Sequence, residues 1–426
     1  MSLNSFPLKT DISFKRINSL AIPALIAGIA EPLISITDTA IIGHIDFNAK
    51  ESLGAVAIVG SFLSMLIWVF AQIRSVISSI VSQYLGANKL EEVKTLPAQA
   101  ILIVVSISVL IILFTYPFAE HIFRIYGAEH TILAYAVDYY EIRIFGFPFT
   151  LFVFAIFGTF RGLQNTFYPM IIAGMGAILN IIFDWILVYG IDGWIPAMNI
   201  EGAAYASVIP FNKEIPRLVK MVFDLFLRTV ALNVALIFAV YMATSYGTDA
   251  LAAYGIGIQL WLFGAFFIDG YSSVGNILSG RLLGAKEYGS LIKLGKKLSF
   301  YGFFTGIGLA MIGFVFYYST GAIFIQDEGV LNRFYGVFWI VLIMQPLSAI
   351  MYIFDGMFKG MGETAFLRNL LFVATFLIFI PSLLFFNLFN FQLYGIWYTF
   401  ILWVIARGLP LIIKFRRKFL PLVEKG

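Results

Sequence analysis

Residues 98–118 read AQAILIVVSISVLIILFTYPF, a stretch without a single charged side chain. About 20 apolar residues in a helix span the hydrocarbon core of a bilayer, so this stretch predicts a membrane-spanning helix. The chain contains ten more segments of the same kind. They lie at residues 18–42, 55–81, 142–160, 170–191, 218–246, 251–278, 300–325, 334–358, 367–389 and 393–413.

The composition of the whole chain agrees with this interpretation. Of its 426 residues, 60% are hydrophobic and 12% are charged, whereas an ordinary soluble domain carries roughly 25% charged residues. These values exclude a soluble globular domain and a disordered chain. The net charge of +4 is too small to favour a nucleic-acid binder, and the lack of cysteine excludes a disulfide framework. The sequence therefore predicts an all-α polytopic membrane protein.

A twelfth span, the sixth in chain order, is predicted at residues 202–210, although only weakly apolar residues stand there. With this crossing and cytoplasmic termini, most of the 28 Lys and Arg residues fall on the cytoplasmic side, as the positive-inside rule requires. Without it, the second half of the chain would be inverted. We interpret the sixth span as truncated, with about 20 residues absent relative to a full crossing. The predicted lobes are residues 1–210 and 211–426.

Short motifs recur at a constant offset of 198 residues. Leu85-Gly86-Ala87 is matched by Leu283-Gly284-Ala285, and Phe160-Arg161-Gly162 is matched by Phe358-Lys359-Gly360. Six spans return the chain to the same side of the membrane, so the two repeats are parallel. Two facing six-helix lobes are typical of transporters whose binding site lies near the middle of the membrane.

Acidic residues inside the predicted spans need a reason, because a charge at the bilayer centre costs about 2.5–3.5 kcal/mol on insertion scales. Glu31 and Asp38 lie seven residues apart in the first span, and Asn180 and Asp184 lie four apart in the fifth. Each pair therefore shares one helix face, and Pro32 permits a bend beside the first pair. Burial and a second nearby carboxylate both increase the proton affinity of a carboxylate. We predict that this cluster carries a proton or another cation.

Other charged residues in the spans allow two interpretations. They form structural ion pairs between helices, or they line a substrate pathway, and their balance of charge leaves both open. These residues are Arg74, Arg228, Asp269, Asp355 and Arg407. The sequence contains no phosphate-binding glycine loop, no catalytic serine–histidine–acid set and no metal-ligand spacing of its histidines. It therefore predicts no enzyme, no cofactor and no resident metal.

The segment 31–44, EPLISITDTAIIGH, resembles the first-helix signature of the multidrug and toxic compound extrusion (MATE) family. Three later motifs resemble further signatures of the family, at residues 53–57, 81–87 and 161–166. Asn165 stands where an aspartate is more usual. Asp355-Gly356 and Ala406-Arg407-Gly408 resemble the branch of the family typified by DNA-damage-inducible protein F.

The resemblance implies export of organic, usually cationic, compounds in exchange for protons or sodium ions. It assigns the coupling role to Asp38, Asn180 and Asp184, and it makes Ser207 the match to a polar residue on the sixth span. Glu31 stands where many relatives carry a neutral polar residue. The family branch favours the proton as coupling ion, with sodium as the alternative.

From these observations we expect a monomeric bacterial inner-membrane protein with both termini in the cytoplasm. Its partners are expected to be the lipid bilayer and small organic cations or other xenobiotics, and not nucleic acid. A lipid-linked precursor flippase is the alternative function. Such a protein requires a cationic cavity for a pyrophosphate headgroup, for which Arg74, Arg228 and Arg407 are available.

Overall fold

The computed structural model describes residues 10–42, 49–189 and 214–424. Within these ranges, side chains are described except at residues 30–42, 49–54, 57, 179–189, 215 and 424. The predicted sixth span at 202–210 lies outside the described residues. The described chain consists of helices joined by short turns, which confirms the prediction of an all-α polytopic protein.

The described part of the first half of the chain forms eight α-helices. They are α1 (Phe14–Ile42), α2 (Ala49–Phe70), α3 (Gln72–Gly86), α4 (Leu96–Thr115), α5 (Ala119–Ile125), α6 (His130–Arg143), α7 (Phe147–Gly162) and α8 (Phe167–Tyr189). Prolines stand in the first turns of α4 and α7. The amide that proline lacks would have no partner within the helix at that position, so these prolines favour helix starts there.

Residues 214–424 of the second half also form eight α-helices, and a π-helical segment (Ala374–Phe379) joins two of them. They are α9 (Ile215–Ser245), α10 (Thr248–Gly284), α11 (Tyr288–Val315), α12 (Tyr317–Phe324), α13 (Glu328–Gly360), α14 (Thr364–Val373), α15 (Ile380–Leu388) and α16 (Gln392–Glu424). Asp327 caps α13, because its side chain accepts a hydrogen bond of 2.9 Å from the amide of Val330.

Nine helical stretches of the described chain are long and apolar enough to cross a membrane. Helices α1 and α8 coincide with the first and fifth predicted spans. The fourth span was predicted too short, at residues 142–160, and runs from His130 to Gly162. Asp138, Glu141 and Arg143 lower the apolar content of its first part, which is why the sequence window began too late.

The repeat seen in the sequence is also present in the packing of helices. Gly158 of α7 lies against α3, where a Cβ atom would stand 2.7 Å from the carbonyl oxygen of Arg74. Gly356 of α13 lies against α10 in the same way, with 2.2 Å to the carbonyl oxygen of Ser272. Both members of the second pair are 198 residues after the first. Close approach of these backbones needs glycine, so the repeated glycines determine how each half is assembled.

The two halves are joined at one end of the bundle. The larger apolar cluster contains buried residues of both halves, among them Ile77 and Ile80 of α3 and Ile277 and Leu278 of α10. The second cluster consists, among the described residues, of side chains from the second half alone. We call the joined end the closed end. It includes the turns at residues 87–95, 163–166, 285–287 and 361–363.

Candidate functional site

Helix α1 packs against α8, and the two begin at the same end of the bundle. Near the start of α1, Arg16 Nη2 donates hydrogen bonds to the side-chain oxygen and the carbonyl oxygen of Gln164, at 3.2 and 3.4 Å. Gln164 stands in the turn that leads into α8. The first and fifth spans are therefore parallel neighbours, which brings together the two helices that carry the predicted coupling cluster.

The register of α1 and α8 follows from this contact. Asp38 is 22 residues beyond Arg16, and Asp184 is 20 residues beyond Gln164. At 1.5 Å per residue these intervals correspond to about 33 and about 30 Å along the helices. The two positions therefore lie at similar heights.

The side chains of the predicted coupling cluster lie outside the described residues. Its helical backbone positions are Glu31, Pro32 and Asp38 in α1, and Asn180 and Asp184 in α8. Ser207 lies outside the described residues altogether.

In the second half, Asp355 is held between two cations. Its Oδ1 accepts a hydrogen bond from Arg228 Nη2 at 2.6 Å, and its Oδ2 is 3.1 Å from Lys359 Nζ. All three side chains are largely buried. Because both carboxylate oxygens are engaged, Asp355 acts as an ion-pair bridge between α9 and α13.

Arg407 of α16 is stabilised differently. Its guanidinium lies over the ring of Trp403, 4.5 Å from the ring centroid, which is the geometry of a cation–π contact. Its Nη2 is buried and has no hydrogen-bond partner among the described residues. The cation therefore lies against an aromatic face, and it forms no ion pair within 4.0 Å with a described carboxylate.

A polar cavity of about 30 Å³ lies between the halves, near the closed end. We call it the midline cavity. Helices α3, α7, α10 and α13 form its walls. Its lining is basic and rich in hydroxyl groups, and consists of Arg74, Ser75, Ser78, Arg161, Asp269, Ser272, Ser273, Asn276, Gly356 and Lys359.

The lining of the midline cavity repeats at the same offset of 198 residues. Four pairs of equivalent positions face it: Arg74 with Ser272, Ser75 with Ser273, Ser78 with Asn276, and Arg161 with Lys359. Equivalent residues from two repeats meet only around the axis that relates the repeats. The cavity therefore lies on the approximate two-fold axis of the molecule.

Hydrogen bonds cross the cavity from one half to the other. Arg161 Nη1 donates to Ser273 Oγ at 3.1 Å, and Asn276 Nδ2 donates to the carbonyl oxygen of Ser75 at 3.3 Å. Arg74 lies 5.6 Å from the ring centroid of Phe154. The two hydrogen bonds help to hold the halves together at the cavity.

Several buried charged residues were not predicted to lie at a site. The count of basic residues by side places Arg161 and Lys359 in cytoplasmic segments, but both stand in the last turns of helices and face the midline cavity. Their shared motif at the offset of 198 residues was the available signal. Asp224 of α9 was also missed. It accepts hydrogen bonds from Arg368 Nη1 at 2.5 Å and Thr364 Oγ1 at 3.0 Å.

The fold and the cavity together define a class of protein. Two repeated halves of membrane-spanning helices, joined at one end around a polar cavity on their common axis, are the architecture of a membrane transporter. The family model described as MatE matches residues 23–186 and 225–384, which is most of the chain. The chain belongs to the MatE family.

Individual relatives agree with this assignment. The chain is 26% identical to DNA damage-inducible protein F of Escherichia coli over 398 residues, covering 85% of this chain and 84% of that protein. It is 25% identical to the probable multidrug resistance protein NorM of Thermotoga maritima over 202 residues, covering 46% of this chain and 41% of that protein.

A solved structure shares the fold. It is the outward-facing conformation of a multidrug resistance MATE family transporter of the MOP superfamily, with a TM-score of 0.83 and 17% identity, covering 96% of each chain. Members of the family are transporters and not enzymes, and the family supports multidrug efflux across a membrane as the activity of this chain.

Proposed function

We propose that this chain exports organic, cationic compounds in exchange for protons, and that Asp38, Asn180 and Asp184 couple the two movements. Glu31 contributes a further carboxylate on the same helix as Asp38. The exporter works as a monomer in a bacterial inner membrane, with residues 1–210 and 211–426 as its two lobes and both termini in the cytoplasm.

The observation that carries this proposal is the parallel pairing of α1 with α8. The contact between Arg16 and Gln164 sets the register in which Asp38 and Asp184 stand at similar heights. Two carboxylates on neighbouring helices raise each other's proton affinity. Their position within membrane-spanning helices adds to that effect, because the charged form is disfavoured by desolvation.

Charge at the closed end supports the proposed orientation. This end carries Lys89, Lys94 and Lys286 in its turns, and Lys414 and Lys418 near the end of α16. The positive-inside rule places such an end in the cytoplasm. In that orientation the structure is closed towards the cytoplasm, which is the state from which an exporter releases its cargo.

Coupling then follows from competition for negative charge. In the inward-facing state, the deprotonated cluster attracts a cation from the cytoplasm. After the switch to the outward-facing state, a proton neutralises the cluster and the cargo leaves. A bend of α1 at Pro32 and the polar side chain of Ser207 are assigned to this step. Proton and cargo weaken each other's binding by the same factor, because linkage is reciprocal.

The test uses purified protein in liposomes that contain a fluorescent organic cation. Proton and sodium gradients are imposed separately, and dye movement is followed for the parent chain, Asp38→Asn and Asp138→Asn. Asp138 is exposed on α6, so its variant is a matched control for the same chemical change. We expect movement under the proton gradient alone, lost in Asp38→Asn and retained in the control.

Other outcomes overturn parts of the proposal. Proton-driven dye movement that persists in Asp38→Asn would show that this cluster does not couple the two movements. Movement under the sodium gradient alone keeps the transporter and replaces the ion. No dye movement under either gradient, with a folded protein, favours a substrate that is not an organic cation, such as the lipid-linked precursor of the alternative function.

A further inference from the structure

We propose that the midline cavity binds one small inorganic anion of the halide class. It does so only while the two halves are in contact at the closed end. The proposal does not rest on proton coupling or on the nature of the cargo. It follows from the charge, the donors and the size of the cavity, and from the fact that both halves form its walls.

The charge in the cavity is not balanced among the described residues. Lys359 is already paired with Asp355. Arg74 and Arg161 remain, and they face one carboxylate, Asp269, with which no described ion pair within 4.0 Å is formed. Lys359 shares Asp355 with Arg228, so these four cations face only two described carboxylates and positive charge is left over. A buried charge without a partner is costly, and a bound anion reduces the excess.

Hydrogen-bond donors in the cavity also lack partners. Arg161 is only 5% exposed, and its Nε and Nη2 have no hydrogen-bond partner among the described residues. The hydroxyl of Ser78 is in the same situation, with Ser78 1% exposed. Since nearly all buried polar groups in proteins are satisfied, such a concentration of free donors needs an explanation. An anion in the cavity would supply the acceptor that these donors lack.

The size of the cavity selects the anion. Its volume is about 30 Å³, and a single water-sized particle requires roughly 10–15 Å³ on the same measure. The cavity thus has room for one or two particles of that size. A single-atom halide fits this space, whereas a phosphate group or a lipid headgroup exceeds it.

Binding is coupled to conformation because the cavity is shared by both halves. Arg161 belongs to α7 and its partner Ser273 to α10, while Asn276 of α10 donates to the backbone at Ser75 of α3. Any movement that separates the halves at the closed end also separates these donors. The anion therefore stabilises the closed state, and closure in turn raises the affinity for the anion.

The first experiment measures thermal unfolding of the full chain in detergent. Sodium bromide replaces sodium gluconate in steps, at constant ionic strength. We expect a saturable rise in the unfolding midpoint with bromide. Ser78→Ala removes one donor and should weaken the apparent affinity about tenfold, the equivalent of one hydrogen bond to a charged group. Ser108→Ala is the matched control, since Ser108 is equally buried but lies in α4.

The result that would overturn the proposal is also clear. Equal unfolding midpoints in bromide and gluconate mean that the cavity binds no halide. In that case Asp269, and not an anion, compensates the charge of Arg161. An equal bromide response in Ser78→Ala and Ser108→Ala means that bromide acts elsewhere on the protein. Crystals grown in bromide should show its anomalous signal in the midline cavity, and a signal only at other positions would contradict the assignment.

The second experiment tests the link to conformation. The chain contains no cysteine, so Lys94→Cys and Lys293→Cys introduce two exposed labelling sites, one in each half near the closed end. Bromide should increase the population with the short label-to-label distance, and inorganic phosphate should not. A distance distribution that a saturating bromide concentration leaves unchanged would contradict the claim that the anion stabilises the closed state. Neither readout involves transport, so failure here is distinguishable from failure of the proposed antiport.

Discussion

Gln83 and Arg281 occupy equivalent positions in the two halves, and each packs its backbone against a glycine of the other half. A Cβ atom on Gly284 would lie 1.9 Å from the carbonyl oxygen of Gln83, and one on Gly86 would lie 1.9 Å from that of Arg281. The closed end is therefore held by a reciprocal crossing of α3 and α10. Even a methyl group cannot be accommodated there without a shift of the backbone.

The first prediction concerns this crossing. Gly284→Ala should force α3 and α10 apart and destabilise the closed state by about 1–3 kcal/mol, the usual effect of overpacking. The label-to-label distance between Lys94→Cys and Lys293→Cys should increase. Gly308→Ala is the control, because nothing lies within 4 Å of a Cβ at that position. An unchanged distance in Gly284→Ala would mean that the crossing does not maintain closure.

The second prediction concerns the ion pair between α9 and α13. Asp355→Asn leaves Arg228 and Lys359 buried without their carboxylate, which should cost about 3–5 kcal/mol of stability. A lowered unfolding midpoint in detergent is the measurement. The double variant Arg228→Met with Asp355→Leu should recover part of the loss, since it removes both charges.

A matched control for this pair is Asp249→Asn, in the first turn of α10. A loss of stability that is equal in Asp249→Asn and Asp355→Asn would contradict the structural role of the bridge. Additive effects of Arg228→Met and Asp355→Leu would contradict their direct interaction.

The third prediction concerns pH at the end of α16. Burial raises the pKa of Glu363, but hydrogen bonds from Lys418 and Lys414 lower it, and the pKa lies below the ordinary value of 4.5. The stability contributed by this carboxylate is therefore fully present above pH 4.5. It is lost as the pH falls through the lower pKa of the folded state.

Hydrogen exchange of the last turns of α16 provides the measurement. We expect protection to fall as the pH is lowered below 4.5 in the parent chain, after correction for the intrinsic exchange rate. Glu363→Gln should show reduced protection at neutral pH and little further loss on acidification. The same pH profile in both proteins would show that another group is responsible.

The fourth prediction concerns Gln164, whose Oε1 accepts hydrogen bonds from Arg16 at 3.2 Å and from Arg281 at 2.6 Å. Its φ of +61° lies in the left-handed region, so Gln164→Gly keeps the backbone and removes only the side chain. We expect the closed state to lose about 1.5–3 kcal/mol, the usual worth of a hydrogen bond to a charged group. Label-to-label distances across the closed end should lengthen. Unaltered distances would show that the hydrogen bonds to Gln164 do not stabilise the closed state.

Much of the architecture was predictable from the sequence, because membrane spans need long apolar stretches and the repeat left matching motifs. Gly86 and Gly284 were singled out by that repeat, and the structure shows why each must be glycine. The ion-pair interpretation of Asp355 with Arg228 was one of two that charge balance left open, and the structure shows the bridge.

The midline cavity was not predictable in the same way. Arg161 directly follows the predicted span at residues 142–160, so the count of basic residues by side places it in a cytoplasmic segment. Its burial depends on contacts with α10, more than 100 residues later in the chain, and a local sequence pattern does not contain them. The predicted coupling role of Asp38 and Asp184 remains a prediction, which the register of α1 and α8 supports.

The reciprocal crossing at Gly86 and Gly284 also bears on the history of the chain. A contact in which each partner presents the same surface to the other is the isologous geometry of a symmetric dimer. Two separate half-length chains, inserted in the same direction, would meet in this way. Fusion into one polypeptide frees each copy to diverge, so that arginine at position 74 now faces serine at position 272 across the axis. A binding site on the axis can in this way become asymmetric. Two identical subunits cannot form such a site, because each contributes the same residues.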